Sequence, residues 1–343
     1  MPAWDRAEPP AVRGYVALHA AASPDIDGRL EESAWSAAPW SESFVDIEGS
    51  SGDAAAPRWE TRVKLIWDAQ FLYLGAELVE PHVWGTLTQR DTVIYYDNDF
   101  ELFVDPDGDT HRYFELEINA LGTVWDLFLA RPYRDGGPAD NGWDIDGLRS
   151  AVWVDGTLNR ADDHDRGWYV ELAIPWASFS DDGRTPVPPR DGDQWRVNFS
   201  RVQWETEVVD GAYRKKTTLE GRPLPEHNWV WSPQYAVNMH LPEMWGVVQF
   251  SSRTSVGGEV SFTTSPPMDA SVRWLLRRGY YAQRDYHRTH GRYADTLEEL
   301  SLALDPVLAP TLTLTQVPDG YDLRSTIGES EWHITDDGRI WKQ

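Results

Sequence analysis

The chain has 343 residues, which is long for one domain and comfortable for two. It carries 56 acidic and 31 basic residues, a formal net charge of -25, so it repels phosphate backbones and we expect no nucleic-acid partner. It contains no cysteine, which excludes thiol catalysis and cysteine-ligated zinc or iron–sulfur centres.

Residues 25–250 are dominated by signals for short β-strands. A tight turn at 25–28 leads into a short predicted helix at 29–37. Alternating apolar and polar residues then predict one strand after another, separated by turn signals, which is typical of an all-β sandwich. The predicted strands are 58–67, 71–79, 99–104, 112–119, 123–129, 150–155, 167–174, 194–205 and 245–250.

The pattern changes after residue 251. Residues 251–267 are rich in Ser, Thr, Gly and Pro, as linkers are. Two helices are predicted beyond them, followed by two strands and a terminal hairpin. The helices are 270–290 and 296–302, the strands 311–316 and 321–325, and the hairpin 331–335 with 339–342.

These elements predict a mainly β protein: an antiparallel β-sandwich followed by a small α+β module. We place the sandwich domain at residues 1–252 and the C-terminal module at residues 264–343.

Six segments, in order, resemble carbohydrate-binding module family 9. The matching segments are Ile26–Trp35, Val63–Leu74, Asn98–Asp105, Tyr113–Gly122, Gly167–Trp176 and the closing Trp245–Gly246. The resemblance implies a two-sheet sandwich that holds the end of a sugar chain and carries structural calcium. The helix of the C-terminal module loosely resembles the globular part of pilin-type proteins.

The same resemblance implies positions for sugar-binding residues. In this family the sugar lies between two tryptophans, and those positions fall on Tyr95 and near Met239. Glu101 matches a sugar-contacting carboxylate. Glu117 stands where the family can place an arginine, and Arg201 lies near an amide position.

The residues themselves also suggest a polar site on one face of the sheet. Carboxylates, amides and guanidinium groups suit the paired hydroxyls of sugars, and free tryptophan rings stack on them. Most of the 19 tryptophans belong to the core in this interpretation. The alternative is that these polar residues only form the solvated face of a half-exposed sheet. The candidate ligand-binding residues are Tyr95, Glu101, Glu117, Asn119, Trp125, Asp126, Asn198, Arg201, Trp204 and Trp231.

We therefore predict non-catalytic binding of a saccharide or of a polysaccharide end. The alternative is a glycoside hydrolase, which needs two carboxylates and would draw them from Glu101, Glu117 and Asp126. A third hypothesis is a surface-assembly scaffold that docks through the C-terminal module.

One acidic turn resembles a calcium loop. Asp105, Asp107 and Asp109 alternate in a tight turn and offer the hard oxygen ligands that Ca²⁺ prefers. We expect any calcium there to be structural. The alternative is an ordinary acidic turn.

The sequence also suggests where the protein works. No apolar run is long enough for a transmembrane helix, and no leader peptide is visible at the start. Because saccharide polymers lie outside the cell, we expect a secreted, periplasmic or cell-surface protein whose leader is absent from this sequence.

Overall fold

The computed structural model describes residues 6–49, 56–180, 185–254, 262–263, 267–302 and 308–343. Most of the predicted linker, and the predicted boundary of the C-terminal module at residue 264, lie outside the described residues. In the described part of the chain, no helix is both long enough and apolar enough to span a membrane.

The described residues between 6 and 251 form the β-rich part of the protein, with a five-residue helix α1 (Ser33–Ala37) near its start. Its strands are β1 (Gly14–His19), β2 (Val45–Asp46), β3 (Thr61–Trp67), β4 (Phe71–Val79), β5 (Asp99–Asp105), β6 (Tyr113–Asn119), β7 (Val124–Leu129), β8 (Ala139–Asp140), β9 (Arg149–Asp155), β10 (Gly167–Pro175), β11 (Gln194–Gln203), β12 (Thr206–Val209), β13 (Ala212–Lys215), β14 (His227–Val230) and β15 (Gly246–Ser251).

Thirteen of these strands, within the described residues, belong to one continuous sheet, and eleven of them follow the order β8-β7-β6-β5-β11-β15-β1-β3-β4-β10-β9. Strand β14 pairs with β11 and with β2, and β12 with β13 form a separate hairpin. The pairing is antiparallel except at β1, which runs parallel to both β15 and β3. The sheet curls so that its two halves face each other across one apolar core, which is the sandwich that the sequence predicts.

Alternation along β5 and β6 decides which side chains reach the outer face of the sandwich. Phe100 and Leu102 point into the core, together with Leu116 of the neighbouring strand. The residues between them therefore point outward, because successive side chains of a strand lie on opposite faces. Glu101 and Glu117 are paired in register on that outer face.

The C-terminal module contains one long helix, α2 (Pro267–His290), and a four-stranded antiparallel sheet. It has its own apolar core, in which Leu276 and Tyr280 of the helix pack against Leu323. The strands are β16 (Leu312–Val317), β17 (Gly320–Ile327), β18 (Ser330–Thr335) and β19 (Ile340–Lys342).

The predicted second helix at 296–302 is wrong. Only one 3-10 turn, Glu298–Leu300, forms there. The Glu299 carboxylate turns back and accepts the backbone N–H of Asp295 at 2.7 Å, and it also pairs with Arg292. Ser301 then adopts a left-handed φ of 49°, which ends the turn.

Charged side chains join the C-terminal module to the sandwich. Arg134, in a loop of the sandwich, donates to both carboxylate oxygens of Glu243 at 3.0 Å and to the Tyr281 hydroxyl at 3.2 Å. Arg284 of α2 pairs with Asp135 at 2.7 Å. The two parts of the chain therefore share a buried ionic network.

Candidate functional site

A cleft of about 520 Å³ lies on the outer face of the sandwich, above β5, β6, β7 and β11. Acidic and aromatic side chains line it. Among those that the sequence predicts for a ligand site, the cleft brings together Tyr95, Glu101, Glu117 and Trp125. Their role in binding stays a prediction.

Buried carboxylates form the floor of this cleft. Glu101, Glu115 and Glu117 are each at most 5% exposed, and Asp99 of the same face is fully buried beneath them. The Tyr95 backbone N–H donates to Glu117 Oε2 at 2.9 Å, and the Val202 N–H donates to Asp99 Oδ1 at 3.2 Å.

Burial shifts the proton affinity of these acids. Desolvation raises the pKa of Glu101 to about 7. Desolvation, followed by repulsion from neighbouring carboxylates, raises the pKa of Asp99, Glu115 and Glu117 well above the usual range. The burial and mutual repulsion of these carboxyl groups therefore favour their protonated form.

Aromatic rings form the walls. Trp125 of β7 lines the cleft, as does Tyr95, which packs against Val202 of β11, and Tyr133 is 48% exposed at the rim. Tyr133 meets His240 edge to face, with ring centroids 4.5 Å apart. Met239 lines the same wall, at the position where the resemblance expects the second tryptophan.

His240 stays neutral in this wall. Burial, and then the nearby Arg134, lower its pKa to about 4. Its Nδ1 lies 2.9 Å from the Tyr113 hydroxyl, which fixes the ring. The histidine can therefore exchange hydrogen bonds with a ligand but brings no positive charge at neutral pH.

Two predicted residues lie on the opposite side of the sheet, so the expectation of one shared face is wrong for them. Asp126 follows Trp125 directly, and alternation turns it away from the cleft, where Arg90 pairs with it. Arg201 follows the outward-facing Ser200 and points inward, where it pairs with Glu80 at 2.6 Å.

Two predicted amides share the outer face but support the fold. Asn119 donates to the Leu87 carbonyl at 2.9 Å and to Asp97 at 3.0 Å. Asn198 donates to the Ser232 carbonyl at 2.9 Å. Both are fully buried, and neither lines the cleft.

Two predicted stacking rings are also packed. Trp231 is 1% exposed and lies against Phe199 and the backbone of Gly246. Trp204 is 8% exposed, and its Nε1 donates to the Tyr95 carbonyl at 2.8 Å. Trp204 thus supports the cleft wall from behind.

The predicted calcium turn lies at the contact with the C-terminal module. One carboxylate oxygen each of Asp105, Asp107 and Asp109 lie within 4.8 Å of one another, a spacing that fits a cation. However, backbone N–H groups of the turn donate to both Asp105 oxygens, and Arg339 pairs with Asp109 at 2.8 Å. Protein donors therefore already satisfy much of this donor set, and calcium at this turn stays a proposal.

Sequence reasoning missed several cleft residues. Glu115 has the same alternation signal as Glu117, so the pattern of β6 could have identified it. Tyr133 lies in the long loop after β7. Glu226 and Asn238 lie in loops that flank β14, outside any strand. No local pattern predicts which loop residues converge on the cleft.

Comparisons with known proteins agree with this architecture. Residues 26–194 match the family model described as carbohydrate family 9 binding domain-like. A candidate carbohydrate-binding protein from Bacteroides uniformis is 16% identical with a TM-score of 0.50, and the match covers 70% of this chain and 100% of that one.

Two further solved structures are family 9 modules from Caldicellulosiruptor kristjanssonii. The complex with cellotriose is 17% identical, with a TM-score of 0.45, and covers 74% of this chain and 100% of that one. The complex with glucose is 17% identical, with a TM-score of 0.43, and covers 73% and 100%. No curated protein matches the chain. The sandwich of this chain therefore contains, at residues 26–194, a region that is carbohydrate family 9 binding domain-like.

Proposed function

We propose that the β-sandwich is a non-catalytic carbohydrate-binding module and that its ligand lies in the cleft above Glu101 and Glu117. The observation that carries the proposal is the cleft itself, in which buried carboxylates adjoin aromatic rings on the strands that match the family. Aromatic faces stack on the apolar face of a pyranose, and carboxylates accept hydrogen bonds from its hydroxyls.

The comparisons supply the first ligands to test. The Caldicellulosiruptor modules have glucose and cellotriose bound, so a neutral saccharide and a short β-glucan are the natural starting panel for this chain. Tyr133, exposed at the rim, marks the side from which a longer chain would enter.

Isothermal titration of the full chain with glucose, cello-oligosaccharides and a wider glycan panel tests the proposal. Trp125→Ala removes a cleft ring and should abolish or strongly weaken binding. Trp153→Ala, on the distant strand β9, is the matched control and should bind as the parent does. Absence of saccharide binding across the panel, or equal affinity of both variants, would contradict the proposal.

The hydrolase alternative now depends on Glu101 and Glu117, because Asp126 faces away from the cleft. The family match favours binding over cleavage. Incubation with the saccharides that bind, followed by assay of new reducing ends, separates the two functions. Product release that Glu101→Gln abolishes would replace the binding proposal with catalysis.

We also propose that the protein acts outside the cytoplasm, because polymeric saccharides are found there. Fractionation of the source cells, with antibody detection in supernatant, surface and cytoplasmic fractions, tests this location. Exclusive recovery in the cytoplasm would contradict it.

A further inference from the structure

Three carboxylates converge at the floor of the cleft. Asp99, Glu101 and Glu117 each place one oxygen so that the three atoms lie within 4.8 Å of one another. All three residues are at least 96% buried, so water cannot disperse their charge. Such a group of buried acids is stable only if protons or a bound cation neutralise its negative charge.

Several of these oxygens lack a hydrogen-bond partner. Among the described residues, none donates to Asp99 Oδ2, Glu101 Oε2 or Glu115 Oε2, although all three atoms are buried. Glu115 is not one of the converging three, and it lies on the cleft beside them. An unpaired buried acceptor destabilises the protein, so these atoms indicate a missing partner.

Two buried carboxylates elsewhere in the protein pair with arginine, Glu80 with Arg201 and Glu243 with Arg134. The cleft offers no such pairing, because no Lys or Arg lines it in the part of the chain that the structure describes. The single histidine on the cleft, His240, is neutral.

A lysine nearby does not fill this role. Lys215 Nζ lies 3.3 Å from the centre of the Trp204 ring and has no ion pair with the floor carboxylates among the described residues. Burial lowers its pKa to about 8, and Asp97, Glu226 and Asp99 only partly oppose that shift. The acidic floor therefore has no direct protein counter-charge.

We propose that Asp99, Glu101 and Glu117 bind a hard divalent cation such as Ca²⁺, and that the saccharide contacts this cation from the cleft. The donors are all carboxylate oxygens, which Ca²⁺ prefers, and Ca²⁺ accepts several further oxygen ligands. Vicinal sugar hydroxyls supply such oxygens. The saccharide part rests on the proposed function, whereas the cation site does not.

Calcium alone is the first probe. The full chain is treated with EDTA, dialysed and titrated calorimetrically with CaCl₂. We expect binding that Glu101→Gln and Glu117→Gln each weaken more than about tenfold. Asp162→Asn, at an exposed aspartate that belongs to neither acidic group, is the matched control and should leave this binding unchanged. Binding that is kept in Glu101→Gln but lost in Asp107→Asn, in the acidic turn, would overturn the site.

Thermal unfolding tests the site even if a variant is less stable, because each protein's Tm with calcium is compared with its own Tm in EDTA. Calcium should raise the Tm of the parent chain and should leave that of Glu101→Gln nearly unchanged. In EDTA, Glu101→Gln should melt above the parent, because it removes one buried like charge. An equal calcium-induced rise in both proteins would contradict the assignment.

Saccharide titrations with and without calcium separate the two proposals. If saccharide binding is identical in EDTA and in CaCl₂, the cation proposal fails and the carbohydrate-binding proposal stands. If calcium binds and no saccharide does, the carbohydrate-binding proposal fails and the cation site stands. If calcium does not bind while glucosamine binds in EDTA, the floor pairs with an amine, and the divalent-cation proposal is overturned.

Discussion

At the scale of single residues, the acids of the cleft floor link saccharide recognition to pH. Burial raises the pKa of Glu101 to about 7, above its ordinary value of 4.5. The folded protein therefore binds protons that the unfolded chain releases, and folding is favoured at low pH relative to neutral pH through this group.

We predict a stability that falls as pH rises from about 4.5 to about 7 in the absence of metal, with no further loss from Glu101 above that window. Urea unfolding in EDTA at several pH values measures it. The difference in unfolding free energy between the parent and Glu101→Gln should grow across this window in favour of the variant. A difference that is constant with pH would contradict the raised pKa.

The residue scale also explains which site predictions the sequence could support. Glu101 and Glu117 were predictable because both interrupt an apolar alternation and so face away from the core. The same rule would have separated Asp126 from Trp125, its immediate neighbour. Arg201 was predicted to bind ligand because its buried partner, Glu80, is distant in the sequence, and no local pattern indicates that the two side chains pair.

At the scale of elements, alternation predicted most of the longer strands of the sandwich and much of the C-terminal sheet, because each face of a strand has one environment. It missed strand β1 and several short strands, and it did not predict the pairing of distant strands, such as β1 with β15. The false helix at 296–302 has a related cause. The capping signal of Glu299 is real, but the carboxylate closes one turn instead of starting a helix.

Strand β15 shows how tightly the elements pack. A Cβ added to Gly246 would lie 2.2 Å from the ring of Trp231, which is itself 1% exposed and cannot move aside easily. We predict that Gly246→Ala lowers the free energy of unfolding by about 1–3 kcal/mol through overpacking. Equilibrium urea unfolding measures this loss. Glu207→Ala, at an exposed position of β12, is the control and should leave the free energy of unfolding nearly unchanged.

Unchanged stability of Gly246→Ala would mean that Trp231 can turn away from the sheet. Trp231 could then again be considered as a ring that stacks on the ligand, because a mobile ring could leave the core.

At the scale of the whole molecule, Arg134 of the sandwich pairs with Glu243 and donates to the Tyr281 hydroxyl of the C-terminal module. Removing the guanidinium leaves the buried Glu243 without its main partner. We predict that Arg134→Gln destabilises the protein by about 3–5 kcal/mol and separates its calorimetric melting into two transitions. This outcome would also support our proposed division into two domains.

Arg160→Gln is the matched control, because Arg160 pairs with Asp162 on the exposed surface and contributes little there. It should melt as the parent does. A single transition at the parent's temperature in Arg134→Gln would contradict the coupling between the two parts.

Strand β1 has a consequence for the order in which the chain folds. Residues 14–19 complete the sheet only when β15, at residues 246–251, lies beside them. Pairing across such a separation makes folding slow, because closing the long loop costs entropy before the contact stabilises it. During synthesis, β1 can pair early with β3, but its pairing with β15 requires most of the sandwich to have left the ribosome. A chain exported in the unfolded state would complete this step only after translocation.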